Sequence, residues 1–306
     1  MTFNSIRNTA LRCANKFPFI SPLVQLARKC TYSYRGIKQY MVAFPRVLGF
    51  DDPKYAKIKG FKNKYSGERC FIIATGPSLT IEDIEKLKNE HTFSMNSIAL
   101  AYDKTDFRPD FLGVQDRNVY IRIYEELKRH SSEQTIIYAD GLKSRGFLID
   151  PEFDDYSERY KPDDSWVPVQ VNGEYHMYDF NYTGKWHTKF HKNVYAFAYD
   201  GYSITYTLIQ IAIFMGFKDI YLLGCDSSYS RDKDKQHFIE SGHHDPERLR
   251  ATAGDRFLSA YQAADKYAKR HGINIYNATR GGYLEVFPRV DLDEVLKTEL
   301  QEKEAN

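Results

Sequence analysis

Residues 71–80 read FIIATGPSLT, an apolar run that stops at Thr75-Gly76-Pro77-Ser78. Phe71-Ile72-Ile73-Ala74 has no polar member, as expected of a strand covered on both faces in a parallel sheet. Thr80-Ile81-Glu82-Asp83 follows as a capping-box-like helix start, with Ile84 and Leu87 on one face. The turn therefore joins a buried strand to a helix N-terminus. In open parallel sheets that junction receives ligands, because unpaired backbone N–H groups and the positive helix end attract phosphate.

Outward from this stretch the chain alternates strand and helix patterns. Strands are predicted at Cys70–Ala74, Thr92–Met95, Phe111–Val114, Thr135–Ala139, Val194–Ala198, Ile220–Leu223 and Ile273–Tyr276, and helices at Ile81–Asn89, Tyr120–His130, Ile204–Met215 and Arg256–His271. Strands separated by helices of this length imply parallel pairing, so the predicted class is α/β, a doubly wound, mainly parallel Rossmann-like sheet. The stretch from about residue 141 to 192 breaks the rhythm, being rich in Asp, Tyr, Trp, Gly and Pro. Such an insertion serves as a lid or acceptor-side loop, or as a contact in a homo-oligomer. Residues 61–306 then form one catalytic domain, and residues 1–60 a basic amphipathic extension.

Composition narrows the class further. The 306 residues are 42% hydrophobic and 27% charged, a globular balance. Aromatic residues reach 15%, with 24 Tyr and 20 Phe, more than an ordinary core uses. The four cysteines, Cys13, Cys30, Cys70 and Cys225, show no CxxC pair. A reduced cytoplasmic setting without structural zinc is expected.

The net charge of +2 conceals a polarity. Residues 1–50 carry Arg7, Arg12, Lys16, Arg28, Lys29, Arg35, Lys38 and Arg46 and no acidic residue. Of 43 basic residues in the chain, 35 remain beyond this leader against 41 acidic ones. Phe17, Phe19, Ile20, Leu23, Val24 and Leu26 lie between the charges, as in a segment resting on an anionic bilayer. The uncharged stretch from Phe17 to Ala27 is 11 residues long and holds Pro18 and Pro22, too short and broken to span a membrane, and it lacks the pattern of a signal peptide. Interleaved aliphatic residues favour lipid or protein contact over nucleic acid, and a plain structural extension is the other reading. The expectation is a protein peripheral to the inner face of the cytoplasmic membrane.

Several predicted strands end in polar residues: Met95-Asn96-Ser97, Val114-Gln115-Asp116 and Gly224-Cys225-Asp226. At the carboxyl ends of parallel strands these read as ligand contacts. Asp200-Gly201-Tyr202-Ser203-Ile204-Thr205 adds a second glycine turn, with Ser203 placed to cap the following helix. Thr75, Gly76, Pro77, Ser78, Asn96, Gln115, Asp116, Ser203, Thr205 and Asp226 are thus the predicted nucleotide-binding set.

The pieces IIATGPSL, SMN, DGYSITYTLIQIAIFMGFKDIYLLGCD, QHF and INIYNATRGGYLEVFPRV resemble the domain shared by motility-associated flagellin glycosyltransferases and 6-hydroxymethylpterin diphosphokinase-like proteins. They are more distantly similar to bacterial sialyltransferases of glycosyltransferase family 42. The resemblance runs from about Gly67 to Leu296. It implies transfer from a CMP-activated nonulosonic acid in surface polysaccharide or glycoconjugate assembly, with a nucleotide-sugar donor, a glycan or lipid-linked acceptor and no obligatory metal. It also places nucleotide contacts at Thr75 to Ser78 and Asn96, although Thr75 stands where the sialyltransferases have Asn. Tyr229 matches a tyrosine that assists the leaving group. The base falls in His237-Phe238-Ile239-Glu240-Ser241-Gly242-His243, where His237 fits the wider family's His-Phe motif and His243 the sialyltransferase Gly-His motif. His237 is the first choice, because it follows the Asp226–Tyr229 strand end closely. The diphosphokinase relatives imply a second reading, pyrophosphoryl transfer from ATP with Mg²⁺ held by Asp116 and Asp226, without a Walker A sequence. An inert scaffold of the assembly machinery is the third.

Overall fold

The computed structural model describes residues 21–140, 159–173, 175, 185, 187–227, 238 and 253–297. Eight strands, β1 (Arg69–Ile73), β2 (Thr92–Met95), β3 (Phe111–Val114), β4 (Thr135–Asp140), β5 (Val167–Asn172), β6 (Ala198–Tyr199), β7 (Asp219–Leu223) and β8 (Asn274–Asn277), form one sheet in the order 6-5-4-3-2-1-7-8. Every neighbouring pair is parallel. The chain builds outward from β1 to β6, then returns across the sheet to lay β7 on the other side of β1. The topological switch point thus lies between β1 and β7.

β1 shows why its sequence is uniformly apolar. Alternate residues face opposite sides: Phe71 and Ile73 join one core and Cys70 and Ile72 the other, all four fully buried. Burial of side chains this size stabilises by about 1.5–3 kcal/mol each. The Phe71 side is covered by Tyr120, Ile123 and Leu127 of a helix at Arg117–Arg129. The other side is covered by helices at Ile204–Met215 and Ala253–Arg270. The Ile204–Met215 helix is buried at every position after its first, and its polar Thr207 and Gln210 are hydrogen-bonded within the protein; it ends at Gly216 in the left-handed conformation, φ 99°.

Two expectations change. The stretch read as irregular contains β5, whose Val167, Val169 and Val171 alternate with Pro168 and Gln170. Of the strand read at Val194–Ala198 only Ala198 belongs to β6; the preceding residues curl back, with Ala196 N donating to Asn193 O at 3.0 Å. Buried Arg46 donates to the carbonyls of Tyr195 and Ala196, so those carbonyls serve a side chain instead of a ladder. The leader forms a helix, α1 (Ser21–Val47), and Arg46 near its end pairs with Asp52 at 2.8 Å. Most of residues 141–192, read as a lid, lies outside the described residues.

Candidate functional site

The turn after β1 closes on the loop after β7. Gly76 N donates to Gly224 O at 2.9 Å, extending the β1–β7 ladder past the strand ends. Ser78 Oγ donates to Asp226 Oδ2 at 2.8 Å, with Ser78 N more distant at 3.5 Å. Only glycine fits at position 76, since a Cβ would stand 2.0 Å from Asp226 Oδ2 and 2.4 Å from Gly224 O. Two donors of the turn therefore point inward, one to a carbonyl and one to a carboxylate. Asp226 is buried, and burial raises its pKa above the ordinary carboxylate value, an effect opposed by the Ser78 hydrogen bonds.

The helix that follows, α2 (Ile81–Glu85), has the predicted capping box. Asp83 N donates to Thr80 Oγ1 at 3.2 Å and Thr80 N to Asp83 Oδ2 at 3.1 Å. It is shorter than the predicted Ile81–Asn89, yet Ile84 and Leu87 are both fully buried as their spacing requires.

Asn96 stands at the exit of β2, beside β1, with a left-handed φ of 51°. That conformation is costly for a residue with a side chain, though Asn tolerates it best. Its amide Oδ1 is buried and meets no hydrogen-bond donor among the described residues. A buried acceptor left open costs about 1–3 kcal/mol until a donor arrives, so strain and an open acceptor coincide at one residue beside the switch point.

The loop after β8 completes the crevice. Asn277 Nδ2 donates to Leu284 O and its Oδ1 accepts from Thr279 N, while Thr279 Oγ1 accepts from Cys225 N at 2.9 Å. Gly282, φ 72°, allows contact with the 226 loop, where a Cβ would lie 2.6 Å from Asp226 O. Arg280 spans the entrance: Nη1 donates to Asp83 Oδ1 at 2.9 Å, and Nη2 reaches the same carboxylate. Its side chain remains 60% exposed although Asp83 is buried. Nothing in the sequence marks Arg280 itself; the nearest signal is the TRGG tetrad at 279–282 in the β8 loop.

The remaining predicted residues divide. Gln115 is committed within the protein, with Nε2 donating to Asp200 Oδ1 at 2.9 Å and Oε1 accepting from Thr207 Oγ1 at 2.6 Å. Thr205 is buried against Met95, its hydroxyl 3.3 Å from Sδ. Asp116 caps the Arg117–Arg129 helix by accepting from Asn118 N and Val119 N, and Ser203 caps the Ile204–Met215 helix through Thr205 N. Thr75, Gly76, Pro77, Ser78, Asn96 and Asp226 are the predicted residues at the crevice. Tyr229, His237 and His243 lie outside the described residues. Phe238, the neighbour of His237, is described: its N–H donates to Thr75 O at 2.9 Å, and its ring packs against the Phe71 core.

Strand order and loop contacts define a doubly wound parallel α/β protein whose polar loops meet at its topological switch point, the place where such sheets bind ligands. The chain is similar in fold to the sialyltransferase CstII from Campylobacter jejuni, solved in complex with a substrate analogue, cytidine-5'-monophosphate, with a TM-score of 0.45 and 16% sequence identity over 74% of this chain and 85% of that one. That likeness concerns the layout of strands and helices and carries no residue assignment. No family model matches the chain, and no curated protein matches it either.

Proposed function

We propose that the chain is a glycosyltransferase that takes a CMP-activated sugar, of the nonulosonic acid kind, in its switch-point crevice. The observation that carries this reading is Asn96, a strained residue at the end of β2 whose buried amide oxygen meets no donor among the described residues. A cytosine amino group or a ribose hydroxyl supplies the donor it lacks, and an open acceptor in a crevice is a reason for a polar ligand to bind there. The motif resemblance in β1, β2 and the β7 and β8 loops points to the same ligand.

The crevice also constrains where the phosphate goes. Asp226 takes the Ser78 hydroxyl and is itself an anion when ionised, so the donor phosphate is held away from it, towards the exposed Arg280 guanidinium at the entrance. In the reaction the base removes the proton of the acceptor hydroxyl and that oxygen attacks the anomeric carbon. The bond from this carbon to the phosphate oxygen breaks, and the CMP phosphate departs with the bonding pair. His237 is assigned as the base, and its chain neighbour Phe238 is hydrogen-bonded to the crevice turn at Thr75, which supports this choice over His243. Tyr229 donates a hydrogen bond to the departing phosphate. Histidine suits the task because its pKa lies near neutral pH.

Melting temperatures in the presence of nucleotides test the reading. CMP at about 100 times its Kd is expected to stabilise the fold by about 2.7 kcal/mol, and ATP with magnesium to leave it unchanged. Stabilisation by ATP with magnesium and none by CMP would overturn it in favour of pyrophosphoryl transfer.

A further inference from the structure

The leader helix α1 has two unlike faces. Ala43 and Arg46 are buried against the sheet edge, Gln39 O accepts from Gln170 Nε2 at 3.0 Å, and Tyr40 meets the Tyr199 hydroxyl. Opposite them, Leu23, Leu26, Ile37, Met41 and Phe44, continued by Leu48 just beyond the helix, are 50–67% exposed. Their spacings keep them within one stripe of a helix, and exposed Cys30 and Tyr34 fill its middle. A stripe that runs the length of a 27-residue helix, about 40 Å at the usual rise, is more apolar surface than a monomer in water leaves uncovered.

Charge decides what covers it. Exposed Lys29, Arg35 and Lys38 flank the stripe, and no acidic residue occurs anywhere in residues 1–50. A second copy would bring cations against cations, without the acidic partners that paired helices use at their flanks. An anionic lipid surface meets both features at once. No helix among the described residues is long and apolar enough to cross a membrane, so the helix lies in the surface plane. We infer that α1 is an interfacial helix that rests on anionic bilayers through the stripe from Leu23 to Leu48, with Lys29, Arg35 and Lys38 reaching the headgroups. The inference does not depend on the reaction in the crevice.

The test uses the full chain, sedimented with phosphatidylcholine vesicles with and without phosphatidylserine, at low and high salt. Binding is expected only with phosphatidylserine and only at low salt. Arg35→Glu/Lys38→Glu should weaken it at least about tenfold, and Ile37→Gln/Met41→Gln by about as much through the lost apolar contact. These positions are exposed, so wild-type melting temperatures should accompany the loss. Equal pelleting with neutral vesicles, or unimpaired pelleting of either variant, overturns the inference. So does an absence of vesicle binding, and if that accompanies a solution dimer dissociated by Ile37→Gln/Met41→Gln, the stripe belongs to a second copy.

Discussion

Two glycine turns look alike in sequence and differ in what encloses them. Gly76 precedes Pro77-Ser78 at the end of β1, and Gly201 precedes Tyr202-Ser203 after β6. A Cβ at 76 would meet a carboxylate and a backbone carbonyl, whereas a Cβ at 201 would meet the Tyr206 ring at 2.4 Å and Ala260 at 2.9 Å. Ser78 spends its hydroxyl across the switch point on Asp226, while Ser203 spends its own on the helix it caps. The first turn is therefore part of a polar crevice and the second part of an apolar core. Close approach alone does not make a ligand site; the chemistry of what is approached does.

The largest expected effect concerns the loop tied to the first turn. His237→Ala should lower turnover with a CMP-sugar donor by about 10²–10⁴ while leaving CMP affinity nearly intact, and His243→Ala should leave turnover near normal. The opposite outcome would place the base in the Gly-His register; full activity in both variants would remove it from this loop. Next come the turns themselves. Gly76→Ala and Gly201→Ala should each destabilise by about 1–3 kcal/mol in urea unfolding, as overpacking does. Calorimetry should then separate them: Gly76→Ala weakens CMP binding and Gly201→Ala, where folded, does not. Equal affinities would erase the distinction drawn between the turns.

A smaller effect follows from Asp226. Its pKa is raised in the folded state by burial, so the native protein holds that proton more tightly than the unfolded chain does. The cost is absent below the unfolded value of about 3.9 and develops as pH rises through the folded value. Asp226→Asn removes this cost, so the variant's stability relative to the parent should increase as pH rises above about 4, where the unfolded carboxyl ionises. A difference that stays constant with pH would mean that the carboxylate is effectively solvated.

Much of this arrangement is legible before any coordinates. Thr92–Met95, Phe111–Val114 and Ile204–Met215 have the bounds that their residues predict, because each is buried on all sides and bounded by polar or glycine residues. β5 is hidden because Pro168 and Gln170 interrupt its valines and Asp164, Ser165, Trp166 and Gly173 flank it. Helix α1 is hidden because its outer stripe and the docked face of Ala43 and Arg46 together blur any single period. At the site, the residue types were visible but not their direction. Nothing in the order of residues says that Gln115 and Thr205 turn inward, that Asn96 adopts φ 51°, or that Arg280 folds back onto Asp83. Those are consequences of contacts between residues distant in the chain.

Calorimetric titration of CMP into the parent protein and into Asn96→Ala tests the central claim most directly. If the buried amide oxygen of Asn96 is the acceptor that awaits the nucleotide, the variant should bind CMP roughly tenfold more weakly, a loss of about 1.4 kcal/mol, with its melting temperature in the absence of nucleotide little changed. An affinity identical to the parent's would contradict the account, because an acceptor at a left-handed residue beside the switch point that meets no donor among the described residues would then have no part in holding the ligand.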